Sequence, residues 1–89
     1  DVLEYLEIAP EFGLSKVRPP KSFIGKTLEE VGLGGTRDRY GISVIAIRRG
    51  NEPILLPAKD EQIKERDILL VVGKDQLLDN VRENEKSGT

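Results

Sequence analysis

The chain has 89 residues, enough for one domain near the size at which a single hydrophobic core is only marginally stabilising. With 14 basic and 16 acidic side chains and a formal charge of -2, it carries no broad electrostatic footprint for nucleic acid or an anionic membrane. The absence of Cys excludes a disulfide framework and a thiolate metal site, and the absence of His removes the usual neutral-pH general base.

In chain order, residues 3–8 place Leu6 and Ile8 on one face and Tyr5 and Glu7 on the other, the alternation of a strand or of a linker entering one. Pro10 and Gly13 interrupt it, so 14–18 is a second strand or a bent continuation, which Pro19-Pro20 ends. Ser22 is then a candidate N-cap, and Ile24, Leu28 and Val31, four and three apart, lie on one face of a predicted helix. Thr27 and Glu30 fit a capping box, which would start the helix at Leu28, and the glycines of 32–35 end it. Residues 42–47 are nearly all apolar and β-branched, the pattern of a strand covered on both faces. A turn at Gly50-Asn51 returns the chain through 54–56 to Pro57 as an antiparallel partner. Residues 67–73 form another buried strand closed by Gly73. From Asp75, the spacing of Leu77, Leu78 and Val81 predicts a final amphipathic helix that packs on the domain's own sheet. The expected fold is therefore α/β (α+β): a small β-sheet with a central hairpin and two packing helices.

A start at Asp1 without Met and a polar end at 83–89 suggest a single domain, 1–89, excised from a longer chain, with 1–5 and 84–89 as linker and tail. Domains of this size often complete their burial by oligomerising, and a dimer is expected. No apolar run approaches the ~20 residues that span a bilayer, and no signal peptide is visible; a cytosolic setting is expected.

The tip of the central hairpin narrows the function most. Arg48 and Arg49 point to opposite faces if the strand continues, one toward a cleft and one toward solvent. Apolar walls beside a guanidinium suit a flat anionic small molecule, although the same residues also suit ordinary core packing with a solvated tip. Asp60, Glu61, Glu65 and Asp67 lack the spacing of a calcium loop and read as an exposed acidic turn balanced by Lys59, Lys64 and Arg66. Ser15, Ser22 and Ser43 have no His base, and the few aromatics give paired carboxylates no platform for a sugar. Neither an enzyme nor a metal site is expected.

Three pieces resemble the C-terminal domain of regulators of potassium conductance, the TrkA-C or RCK-C domain. They are Ile24-Gly25-Lys26-Thr27-Leu28 with Glu30, the run from Tyr40-Gly41-Ile42 to Arg48-Arg49-Gly50, and Pro57 followed by Asp60, Ile63, Asp67-Ile68-Leu69 and Val71-Val72-Gly73. The resemblance implies a TrkA-C-like domain that forms a homodimer behind a Rossmann-type RCK-N domain of the same chain. Its partner would be a potassium channel or transporter membrane subunit, which sets it at the inner face of the cell membrane; nucleic acid is not an expected partner. The Gly-x-Gly-x-x-Gly turn is absent here, since Gly32-Leu33-Gly34-Gly35 follows no strand and opens no helix. Any ATP, ADP or NAD would belong to the attached domain, and this chain requires no cofactor.

Some members of the family bind cyclic di-AMP between two such domains. Carried across by position, the resemblance implies a wall of Val44, Ile45, Ile54 and Pro57, with Arg49 reaching a phosphate. A two-fold ligand suits a two-fold interface, because each subunit offers the same patch. The competing expectation is a purely structural dimerisation domain, with ligand sensing in the attached Rossmann domain.

Overall fold

The structure, a computed structural model, describes residues 2–34 and 41–75. Five strands form one sheet: β1 (Val2–Ala9), β2 (Phe12–Val17), β3 (Ile42–Arg49), β4 (Glu52–Leu55) and β5 (Ile68–Lys74). Their order is β1-β2-β5-β3-β4, and every pairing is antiparallel. The two hairpins, β1–β2 and β3–β4, are local in sequence, and β5 lies between them.

The register explains which face is buried. Gly13, Ser15 and Val17 of β2 stand opposite Gly73, Val71 and Leu69 of β5. On the other side of β5 the same three residues face Ile42, Val44 and Ile47. Ile47 keeps to the face of Val44 although it is three positions on, because a bulge between Val44 and Ala46 inserts Ile45 as an extra residue. Val17, Ile42, Ile47, Leu69 and Val71 therefore present one apolar surface, which Phe23, Leu28, Val31, Leu33 and Ile63 cover.

The covering layer is irregular chain whose backbone groups pair with each other, as buried polar groups must. Gly25 N–H donates to the Ile63 carbonyl at 2.7 Å, Ile63 N–H to Lys26 at 2.8 Å, Leu28 N–H to Glu61 at 3.0 Å and Glu29 N–H to Lys59 at 2.8 Å. Residues 59–63 are thereby laced to 25–29.

This corrects the expectation of a sheet with two packing helices. The described residues form a five-stranded antiparallel sheet with no α-helical element; a three-residue 3-10 helix, Lys21–Phe23, lies among them, and their last residue, Asp75, is in α-helical conformation. Ser22 lies inside it and caps nothing. The predicted helical face of Ile24, Leu28 and Val31 is instead a single turn with a start and a stop. Thr27 and Glu30 do form the reciprocal capping box: Thr27 N–H donates to Glu30 Oε1 at 2.8 Å, and Glu30 N–H to Thr27 Oγ1 at 3.1 Å. Gly32, at φ 84°, ends the turn at once. Its N–H donates to Glu29 at 3.1 Å and that of Leu33 to Leu28 at 2.8 Å, the paired bonds of a Schellman stop. Ile24 is cut off upstream by Gly25, at φ 87°. The second predicted helix, with Leu77, Leu78 and Val81, lies outside the described residues.

β1 is an edge strand with Leu3, Tyr5, Leu6 and Ile8 all exposed. The Tyr5 ring lies so close over Gly13 that a methyl group there would overlap it. Its hydroxyl donates to Asp75 Oδ1 at 2.5 Å, tying the edge to the far end of β5.

Candidate functional site

The β3–β4 hairpin gathers the residues singled out in the sequence. Val44 and Ile54 pack against the rim of the core, half-buried. Ile54 stands opposite Ile47, on the sheet face of Val44. Ile45 is half-buried at the bulge, and its carbonyl accepts the Leu56 N–H at 2.9 Å. Pro57, half-buried, follows where the chain leaves β4. β4 is the sheet's other edge, and Pro53 fits such a position because it has no N–H to donate. The hairpin also carries two apolar side chains outside the predicted set: Leu55 and Leu56 are 72% and 78% exposed. Leu56 is held at φ 45°, a left-handed backbone that bulky residues seldom adopt.

Arg49 has a different setting from the one its position suggested. Its side chain turns to the core side of the sheet and meets the 61–67 segment. Nε and Nη2 donate to Asp67 Oδ1 and Oδ2 at 3.0 and 2.8 Å, the two-pronged match of guanidinium to carboxylate. Nη2 also donates to the Gln62 carbonyl at 2.9 Å, and Nη1 to Glu61 Oε2 at 3.3 Å. The Asp67 side chain is wholly buried, while those of Arg49 and Glu61 are 27% and 29% exposed. Lys64 N–H donates to Asp67 Oδ2 as well, at 2.9 Å. Hydrogen bonding to Asp67 pushes the Arg49 pKa still further above its ordinary value, so the cation is permanent.

Asp67 and Glu61 are thus not part of an exposed acidic turn. Asp67 is a buried counter-ion, and sequence reasoning missed it; the one local signal was its place just before a fully apolar strand. Arg48, by contrast, is exposed and donates weakly to the Gly50 carbonyl at 3.4 Å. One arginine in, one out is the alternation expected of adjacent strand residues.

Of the predicted set, Arg49 and Ile54 share a hollow of about 410 Å³ with Asn51 and Glu52. An aliphatic wall, one cation with most of its donors in use, and an exposed leucine pair make a surface suited to binding. Among the described residues no group of His, Cys, Asp or Glu has the geometry to hold a metal ion. No helix among them is long and apolar enough to cross a membrane.

A family model described as the TrkA-C domain matches residues 14–86, so β1 lies ahead of the matched region. The chain is 38% identical over 73 residues to Ktr system potassium uptake protein C of Bacillus subtilis (strain 168), covering 82% of this chain and 32% of that protein. It is 25% identical over 73 residues to Ktr system potassium uptake protein A of the same organism, with the same coverage. The uncharacterized transporter YfbS of Escherichia coli (strain K12) is 32% identical over 72 residues, 79% of this chain and 11% of that protein. The chain spans about a third of the length of the two Ktr relatives.

Proposed function

The chain belongs to the TrkA-C domain family, and from that premise we propose that it is a dimeric regulatory domain of a potassium-transport system, sensing cyclic di-AMP across its dimer interface. The names of the two Ktr relatives support potassium uptake as the setting. The reading calls for a Rossmann-type RCK-N domain in the same chain, a channel or transporter membrane subunit as partner, and a place at the cytoplasmic face of the membrane.

The observation that carries the reading is the β4 edge. Leu55 at the end of the edge strand and Leu56 just beyond it, 72% and 78% exposed, gain nothing from facing water. A second copy related by a two-fold axis would cover them and bring two walls of Val44, Ile45, Ile54 and Pro57 face to face. Aliphatic faces of this kind pack on purines. Arg49 enters with its fork held by Asp67, so a phosphate meets it through Nη1, in competition with Glu61, whose bond is the longest of the four. Ligand bound there biases the orientation of the two subunits by its differential affinity for the two arrangements.

Sedimentation and calorimetry test this together. We expect a dimer that binds cyclic di-AMP at micromolar concentration, a monomer for Leu55→Lys, and tighter binding for Glu61→Gln, which removes the negative charge competing with a phosphate at Nη1. An intact dimer that gives no heat with cyclic di-AMP would leave the structural dimerisation domain as the reading. A monomer at high protein concentration would remove both.

A further inference from the structure

We propose that the free edge of β1 is a docking site for an extended protein segment of alternating apolar and basic residues, taken up as a sixth strand of the sheet. This edge lies opposite the β4 edge and does not rest on the cyclic di-AMP reading. Every residue from 3 to 12 is exposed. Among the described residues, five of the seven exposed large apolar side chains belong to this stretch: Leu3, Tyr5, Leu6, Ile8 and Phe12. An edge strand turns unpaired N–H and C=O groups outward, and proteins commonly guard such an edge with lysine or proline. β1 has neither. Its two register shifts lie outside Glu4–Glu7, which stays regular. The charges it does carry, Glu4 and Glu7, are acidic; they turn away acidic strands, a second copy of β1 included, and admit basic ones.

Charge is distributed to match. Asp1, Glu4, Glu7 and Glu11 are the only charged residues among the first 13, and beyond them bases outnumber acids. The pairing register then separates the two faces of the hairpin. Tyr5 stands opposite Ser15 and Glu7 opposite Gly13 on one face. There the Tyr5 hydroxyl holds Asp75 Oδ1 at 2.5 Å, and Glu7 has no ion pair among the described residues. That face is acidic. Leu6 stands opposite Leu14 and Glu4 opposite Lys16 on the other. Lys16 Nζ neutralises Glu4 at 2.9 Å, and Lys74 Nζ lies 5.8 Å from the centre of the Phe12 ring. The second face is therefore apolar, with no negative charge to spare.

These two faces define the occupant. Side chains of an added strand alternate between the faces of the sheet. Those on the side of Leu6 lie beside it and the half-buried Leu14, where apolar residues fit. Those on the side of Tyr5 meet Glu7, Asp75 and the phenol ring, where lysine or arginine gains both from opposite charge and from the ring face. Ladder hydrogen bonds supply affinity whatever the sequence, and the alternation supplies selectivity. An anionic membrane or a nucleic acid meets the wrong sign at this edge.

The test is an NMR titration with an end-blocked peptide of alternating valine and lysine. Two controls accompany it: the same peptide with glutamate for lysine, and a block peptide with all its lysines ahead of its valines. We expect saturable amide shifts in β1 and β2 with the alternating basic peptide, and slowed hydrogen exchange at alternate amides of residues 4–7. The acidic peptide gives neither effect, and the block peptide binds more weakly without slowing exchange. Glu7→Gln weakens binding about threefold, the loss of one exposed charge pair. Leu6→Lys, which puts a guard on the edge, abolishes saturation. Leu55→Lys, at the sheet's other edge, leaves binding within about twofold. Equal binding of the block peptide would overturn the proposal, since charge alone would then suffice. So would shifts centred on residues 52–56, or saturable binding that leaves exchange in β1 unchanged.

Discussion

Arg49 illustrates how far one side chain's role depends on residues that lie far away in sequence. Read locally, it is a cation at a hairpin tip; in the fold it is the counter-ion of a buried carboxylate 18 residues on. Removing it strands that charge. Arg49→Ala should lower stability by about 3 kcal/mol in urea unfolding, the usual effect of leaving one member of a buried pair alone. Arg49→Lys should recover only part, because an ammonium lacks the fork that meets both Asp67 oxygens. Glu61→Gln, at a partly exposed partner, should cost under about 1 kcal/mol. An unchanged urea midpoint for Arg49→Ala would show that the clamp contributes nothing. The same result would make weakened ligand binding by that variant interpretable, which is why stability must be measured beside affinity. Asp67 was illegible in the sequence because Lys64, Glu65 and Arg66 surround it with solvated charge, and periodicity carries no information about a partner across the fold.

The covering layer shows the complementary case, in which every local signal was readable and their sum was misread. The capping box at Thr27 and the glycine stop at Gly32 were both visible in the residues, and both form. They stand five positions apart, so the chain completes one turn and no helix can propagate. The buried spacing of Leu28 and Val31 is real but serves that turn, with Leu33 closing over Leu28 beyond the stop. The box also has a pH signature. Hydrogen bonds from Thr27 hold the Glu30 carboxyl below its ordinary value of 4.5. Its contribution is complete above that pH and is lost as pH falls through the lower folded-state value. Thermal melts across the acid range should therefore show a shallower acid limb for Glu30→Gln, which removes the titrating group. Thr27→Ala, by contrast, keeps the backbone N–H that binds the carboxylate and should lose about 1 kcal/mol at neutral pH from the missing cap. An acid limb of unchanged slope would mean that the box is not coupled to folding.

At the scale of the whole molecule, the β3–β4 hairpin was legible from its apolar runs and the Gly50-Asn51 turn. Residues 3–18, in contrast, read equally as two strands or one bent strand, and the order of the two hairpins in the sheet was not legible. Nothing in the periodicity says that β5 inserts between them, since both its neighbours are simply apolar strands. The joint between β1 and the rest gives a test of that arrangement. Donation of its hydroxyl to Asp75 raises the Tyr5 pKa to about 12. The fold thus favours the neutral phenol: its contribution is full below pH 10 and disappears between 10 and about 12. A tyrosinate absorbance titration should show one of the two tyrosines ionising late, and hydrogen exchange in β1 should accelerate in the same window. Tyr5→Phe should abolish the late step. If both tyrosines ionise near pH 10, β1 is not fastened to the end of β5 in this way.

The central place of β5 also dictates the order of events when the chain folds. Each hairpin can close alone, since its strands are near neighbours, but β2 and β3 meet no common surface until β5 arrives between them. Pairing residues 12–17 with 68–74 closes a loop of more than half the chain before any core exists. Such non-local pairing makes for slow folding and leaves apolar strand edges open meanwhile. A ribosome must therefore release β5 before this domain can exist, and a chain that stops between Leu55 and Ile68 holds both hairpins but lacks the strand that joins them into one sheet.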